Sequence, residues 1–191
     1  INLGLLYYNG RGVHQNYAQA KMWFAKAAAQ NNANGQYSLG VLYNNGEGIE
    51  QDYVQARYWY EKAAAQNLPE AQTFLGDIYK LGQGVPQNYR QARYWYEKAA
   101  FQGFATAQYD LGLLYYEGNG VPKNYTQTRI WLEKAAVQGL PQAQSDLGAI
   151  YELGLGVPKN HAQARYWYTK AAIQGDDDAQ AALEKLQHTG H

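Results

Sequence analysis

Residues 88–103 read NYRQARYWYEKAAFQG. Nearly the same text occurs four more times: NYAQAKMWFAKAAAQN at 16–31, DYVQARYWYEKAAAQN at 52–67, NYTQTRIWLEKAAVQG at 124–139 and NHAQARYWYTKAAIQG at 160–175. Trp23, Trp59, Trp95, Trp131 and Trp167 are spaced by 36 residues each time, as are Tyr7, Tyr43, Tyr79, Tyr115 and Tyr151. A period of this size means one supersecondary unit stacked on copies of itself. The recurring text is the part every copy needs, so it reads as structure. Function is sought where the copies differ.

Within the quoted stretch, Ala92, Trp95, Tyr96, Ala99 and Ala100 fall at i, i+3, i+4, i+7 and i+8, one apolar face of an α-helix. Asn88 with Gln91 marks its start, and the pair recurs as Asn16/Gln19, Asp52/Gln55, Asn124/Gln127 and Asn160/Gln163. The short polar side chain accepts from a free backbone N–H, and the Gln is expected to reach back to the cap, as in a capping box. Gly103, Gly139 and Gly175, or Asn31 and Asn67, end the helix with residues that tolerate the left-handed conformation. A second amphipathic helix precedes each of these: Ala107, Leu111, Leu114 and Tyr115 in one copy, Ala143, Leu147, Ile150 and Tyr151 in another. A glycine recurs in its middle, at Gly4, Gly40, Gly76, Gly112 and Gly148. Glycine there costs about 1 kcal/mol against alanine, so a close approach by another backbone or a Trp is expected. The loop between the helices runs EGNGVPKN at 117–124, where Gly118 closes the first helix and Val121 plugs the turn into the core.

The pattern Ala107, Leu111, Gly112, Tyr115, Gly118, Gly120, Val121, Asn124, Trp131, Lys134, Ala135, Ala136 and Gly139 resembles the Sel-one-like repeat family, a relative of the tetratricopeptide repeats. The resemblance covers essentially the whole chain. It implies an all-α fold: a right-handed superhelical solenoid of antiparallel helix pairs with a 36-residue repeat. The expected array is a single one, with a partial unit at 1–31, units at 32–67, 68–103, 104–139 and 140–175, and a closing helix at 176–188. Asp176 to Asp178 would sit at the N-terminus of that helix, where negative charge is favoured. Ile1 falls midway through a first helix, so a longer array is expected upstream, and its exposed apolar end predicts head-to-tail self-association.

The chemistry classes thin out quickly. Sixteen basic and sixteen acidic residues give no net charge, which removes the basic surplus that nucleic-acid binding needs. No apolar run approaches the roughly 20 residues of a membrane span, so no direct membrane insertion is expected. With no cysteine there is no thiol nucleophile or thiolate metal site. Ser38 and Ser145 begin no S-x-x-K and lie in no G-x-S-x-G. His14, His161, His188 and His191 lack metal-ligand partners at helical spacing, and Gly82-Gln83-Gly84 is a turn rather than a phosphate loop. Asp110 and Asp146, at the same place in adjacent copies, are the one carboxylate pair that a glycosidase reading could use. Neither an enzyme nor a cofactor or metal site is expected.

The resemblance implies that the first helices line a concave wall, and alignment with the tetratricopeptide pattern places four positions on it: three before the central glycine, and one, four and five after it. The partial unit supplies Leu5, Tyr8 and Asn9. The next supplies Tyr37, Val41, Asn44 and Asn45; the third, Thr73, Asp77, Lys80 and Leu81. The fourth supplies Tyr109, Leu113, Tyr116 and Glu117; the last, Ser145, Ala149, Glu152 and Leu153. Tyrosines among these are rigid anchors of the kind enriched at binding hot spots; at helical spacing they also read as packing between units. The family's usual role implies a scaffold that binds a protein or peptide in this groove. A saccharide or β-lactam ligand protein with weak hydrolase activity, and a structural spacer, are the alternatives. The family is common in bacterial secreted, periplasmic and membrane-associated systems and also occurs in eukaryotic quality-control machinery, so the resemblance favours a bacterial protein, periplasmic or secreted, with a cytoplasmic one as the alternative.

Overall fold

The apolar 3.6-residue stripes become helices with little exception. The computed structural model describes residues 1–188, with side chains to Leu186, and every regular element among them is helical. The first helices are α1 (Asn2–Asn9), α3 (Ala33–Asn45), α5 (Pro69–Leu81), α7 (Ala105–Glu117) and α9 (Pro141–Leu153). The second helices are α2 (Tyr17–Ala29), α4 (Tyr53–Ala65), α6 (Tyr89–Phe101), α8 (Tyr125–Val137) and α10 (His161–Ile173), and α11 (Asp177–His188) follows. Packing divides the chain into two compact units, Ile1–Ala99 and the residues from Ala100 onward. In the first, each of α1 to α4 packs on the next helix in the chain, and α5 meets α6 through Gly76 and Tyr96; in the second, α7 to α11 do the same. Helix pairs joined by short loops and stacked in chain order are the plan of an α-solenoid.

Each core lies between repeats. Ala20, Phe24 and Ala28 of α2 bury against Leu39 and Leu42 of α3. Ala56, Tyr60 and Ala63 of α4 meet Ala71, Leu75 and Ile78 of α5. Leu132 and Ala135 of α8 meet Leu147 and Ile150 of α9, and Ala164 and Tyr168 of α10 meet Ala179 and Leu186 of α11. One repeat cannot bury its own apolar faces, so a neighbour is needed to complete each core.

The caps form, with one correction. The side chains of Asn16, Asp52, Asn88, Asn124 and Asn160 accept from the backbone N–H three residues on, at 3.0–3.1 Å. The cap's own N–H donates to the recurring first-helix tyrosine's carbonyl, as in Asn16 to Tyr7 and Asn160 to Tyr151, both 2.8 Å. This backbone bond takes the place expected for the Gln side chain and fixes the second helix to the first. Asn31 and Asn67 adopt φ of 58° and 64°, as their positions require. Val121 is buried.

In four of the five repeats the central glycine faces a ring, and that ring is not the Trp; Gly112 faces Leu132. A Cβ at Gly40 would stand 2.5 Å from the Tyr60 ring, and one at Gly148 2.6 Å from that of Tyr168. The partner is the residue after each Trp, because one helical step turns that side chain toward the first helix.

Candidate interaction face

Position three before the glycine belongs to the stack. Tyr37 packs tilted against both Tyr60 and Phe74, 5.8 Å from each ring centre, while those two rings stack on each other at 5.2 Å. Burial, and then the Glu70 charge, push its hydroxyl up to about 12. Thr73 is 3% exposed and its hydroxyl donates to the Pro69 carbonyl at 2.8 Å. That removes it from the expected wall: a threonine here bonds its own helix turn. Tyr109 packs on the α8/α9 core, and burial followed by the Asp146 carboxylate raises its pKa well above the ordinary tyrosine value. Ser145 donates to Asp176, the cap of α11, at 3.2 Å.

The positions one, four and five after the glycine are more open. Leu5, Asn9, Asn45, Leu81, Tyr116, Glu117 and Leu153 are exposed; Tyr8, Val41, Asn44, Asp77, Lys80, Leu113, Ala149 and Glu152 are partly exposed. Several polar members already have partners. Tyr96 donates to Asp77 at 2.6 Å and Tyr168 to Glu152 at 2.7 Å. Asn44 donates to Asn45 at 3.0 Å, and Asn119 to Glu117 at 2.6 Å. Lys80 lies 5.9 Å from the Tyr96 ring centre, and Tyr8 packs edge-on against Tyr17 at 5.6 Å.

Zero net charge conceals a segregation. The five first helices carry Glu70, Asp77, Asp110, Glu117, Asp146 and Glu152 against Lys80. The five second helices carry eleven Lys or Arg against three Glu. Asp77 and Asp146 both have raised pKa values, burial being the larger cause; the Tyr96 hydroxyl and Lys80 counter it at Asp77, the Tyr109 hydroxyl at Asp146. Two cavities of about 210 Å³ open on the first helices. One, in the first unit, is bounded by Leu5, Tyr8, Phe24, Tyr37 and Val41. The other, in the second unit, lies among α7, α8 and α9 beside Leu113, Tyr116, Glu117, Asp146 and Leu153.

The sequence reading missed a half-buried glutamine ladder. Gln66 donates to Gln36, Gln138 to Gln108 and Gln174 to Gln144, each at 2.8 Å. Gln108 and Gln144 in turn donate to the carbonyls of Ala100 and Ala136. The signal is a Gln four residues before the central glycine in four repeats, at Gln36, Gln72, Gln108 and Gln144. The Gln–Gln bonds lie within a repeat and the bonds to Ala100 and Ala136 reach the preceding one, so the ladder satisfies polar groups and offers no reactive atom.

Among the described residues no three His, Cys, Asp or Glu side chains group as a metal site, and no helix is long and apolar enough to cross a membrane. His14 and His161 are exposed; the His188 side chain and His191 lie outside the described residues.

A family model described as Sel1 repeat matches five times in succession, at 1–32, 33–68, 69–104, 105–140 and 141–176. Among solved structures, the chain is similar to a protective antigen present in uropathogenic Escherichia coli strains and displaying an SLR fold. It is 38% identical with a TM-score of 0.92, over 99% of this chain and 40% of the antigen. It is also similar to a Sel1 repeat protein from Oxalobacter formigenes, 37% identical with a TM-score of 0.87, over 95% of this chain and 72% of that protein. Helicobacter pylori cysteine rich protein B is 29% identical with a TM-score of 0.54, over 68% of this chain and 92% of its own. No curated protein matches the sequence. The chain thus spans less than half the length of the E. coli antigen. With the period, the between-repeat cores and five matched repeats in agreement, the chain belongs to the Sel1 repeat family, whose members generally are non-catalytic and mediate protein–protein interactions.

Proposed function

We propose that the chain is a non-enzymatic scaffold that holds a protein or peptide partner against the groove face of its first helices, through the positions one, four and five after each central glycine. One observation carries this reading. These helices vary from copy to copy at open positions and concentrate carboxylates, whereas the second helices repeat one basic text. Exposed Tyr116 and half-buried Tyr8 add aromatic area at low entropic cost. Interfaces draw most of their affinity from a few such anchors.

The test selects peptides from a random displayed library on the unaltered chain. It then measures their affinity for Tyr116→Ala/Glu117→Lys and for Tyr58→Ala/Tyr166→Ala, the second pair lying exposed on second helices. The first pair is expected to weaken binding at least about tenfold, or 1.4 kcal/mol, and the second pair to leave it unchanged. Loss with the second pair alone would move the interface to the other helices.

A further inference from the structure

Four repeats fill the contact between their two helices with an aromatic ring. Phe24, Tyr60, Tyr96 and Tyr168 lie against the central glycines of their first helices. The repeat of α7 and α8 has Leu132 instead, and a Cβ at Gly112 would meet it only at 3.3 Å. Leucine brings neither the ring nor the hydroxyl that Tyr96 and Tyr168 donate to Asp77 and Glu152. Across from it, α9 places Ala149 where preceding repeats hold Val41, Asp77 and Leu113. The cavity of about 210 Å³ lies at this spot, and Leu132 and Ala149 both line it.

Its walls are of two kinds. Leu113, Leu132, Ile150 and Leu153 make it apolar, and Asp146 and Glu117 add carboxylates. Among the described residues lining it there is no Lys, Arg or His. The groups acting on Asp146 are the Tyr109 hydroxyl and the Asp176 carboxylate, and burial raises its pKa above the ordinary 3.8. Glu117 accepts from the Asn119 amide, a neutral donor. Lys123 stands 6.0 Å from the Tyr116 ring centre, next to the cavity but not lining it.

An apolar cavity with carboxylates and no cation matches one kind of side chain: a long aliphatic stem ending in positive charge, which buries the stem and pairs the head. We infer that this cavity receives a lysine or arginine side chain of the bound partner, its stem against Leu113, Ile150 and Leu153 and its head at Asp146 and Glu117. The inference rests on the first helices being the binding face and adds the chemistry of the partner. A neutral side chain would cover the same walls and leave Asp146 buried without a counter-charge; an acidic one would meet like charge. Both are disfavoured electrostatically.

Titrating the chain with short extended peptides tests this. One carries a central arginine, one a lysine and one the neutral isostere citrulline, and the methyl NMR signals of Leu113, Ile150 and Leu153 report binding. The arginine and lysine peptides are expected to shift those signals, with citrulline at least about tenfold weaker. Leu132→Tyr, which installs the ring present in α4, α6 and α10, is expected to abolish the shifts while circular dichroism stays helical. Asp146→Asn should weaken the two cationic peptides at least about tenfold and leave citrulline unchanged. That readout does not depend on the tyrosine variant folding. Equal binding of arginine and citrulline peptides, undiminished binding to a folded Leu132→Tyr chain, or no shift at all would overturn the inference. The two readings separate cleanly. A protein partner lost by Tyr116→Ala/Glu117→Lys but kept by Leu132→Tyr removes the cationic pocket and leaves the scaffold. Cationic peptides entering the cavity while no protein engages the first helices does the reverse.

Discussion

The junctions α7/α8 and α9/α10 are written in almost the same letters, RIWLEK at 129–134 and RYWYTK at 165–170. In α9/α10 the Tyr168 ring would stand 2.6 Å from a Cβ at Gly148, and its hydroxyl holds Glu152 at 2.7 Å. In α7/α8 Leu132 stands back, and a cavity bounded by carboxylates takes that place. The backbone and caps are shared. The residue after the Trp separates a contact filled by a ring from one that, beside Ala149, leaves a cavity.

Making the two junctions alike should have the largest effect. Tyr168→Leu removes a buried ring and leaves Glu152 without its donor. It is expected to cost about 2–3 kcal/mol in denaturant unfolding; an unchanged midpoint would mean the ring is not filling the contact. The glycines sharpen the contrast. Gly148→Ala forces a methyl into the Tyr168 ring and should cost about 1–3 kcal/mol. Gly112→Ala meets a more yielding Leu132 and gains up to about 1 kcal/mol of helix propensity, so its net effect should be near zero. Equal losses at both sites would erase the difference between the junctions.

Asp146→Asn probes the charge at the cavity. The folded-state pKa of Asp146 is raised. Between the ordinary 3.8 and that higher value the folded chain binds a proton that the unfolded chain has released, so stability falls as pH rises through this window. The variant should therefore melt higher than the parent at pH 7, and the gain should fade as pH falls toward 3.8. A gain that grows in acid would reverse the sign. The smallest effect concerns the outer pairs. Arg129 meets Glu133 at 3.0 Å in α8, whereas α10 has Thr169 at the matching place. Arg129→Ala should cost about 0.3–0.5 kcal/mol, and less in high salt.

The period, the two-helix repeat, the caps at Asn16 to Asn160 and the left-handed Asn31 and Asn67 were all legible, because each depends on local geometry that a residue type expresses directly. The partner of the central glycine, expected to be another backbone or a Trp, is the side chain after the Trp, since helical phase at one-residue precision is set by packing. The cap N–H bond to Tyr7 and its equivalents is backbone to backbone and leaves no side-chain signature. Thr73 and Tyr37 illustrate a different limit: their position varies like a binding surface, yet it lies where consecutive repeats meet. Leu132 was in plain view as a departure from RYWYEK, but only the packed neighbours show that the missing ring is not replaced.

On the proposed function the first helices, not the repeated second helices, are the interaction face. The most direct measurement is amide and methyl NMR of the chain saturated with a library-selected peptide. Shifts confined to the first helices α1, α3, α5, α7 and α9, strongest at Tyr116, Glu117 and Leu153, are the predicted result. Shifts centred on Tyr58, Tyr94 or Tyr166 of the second helices would contradict it.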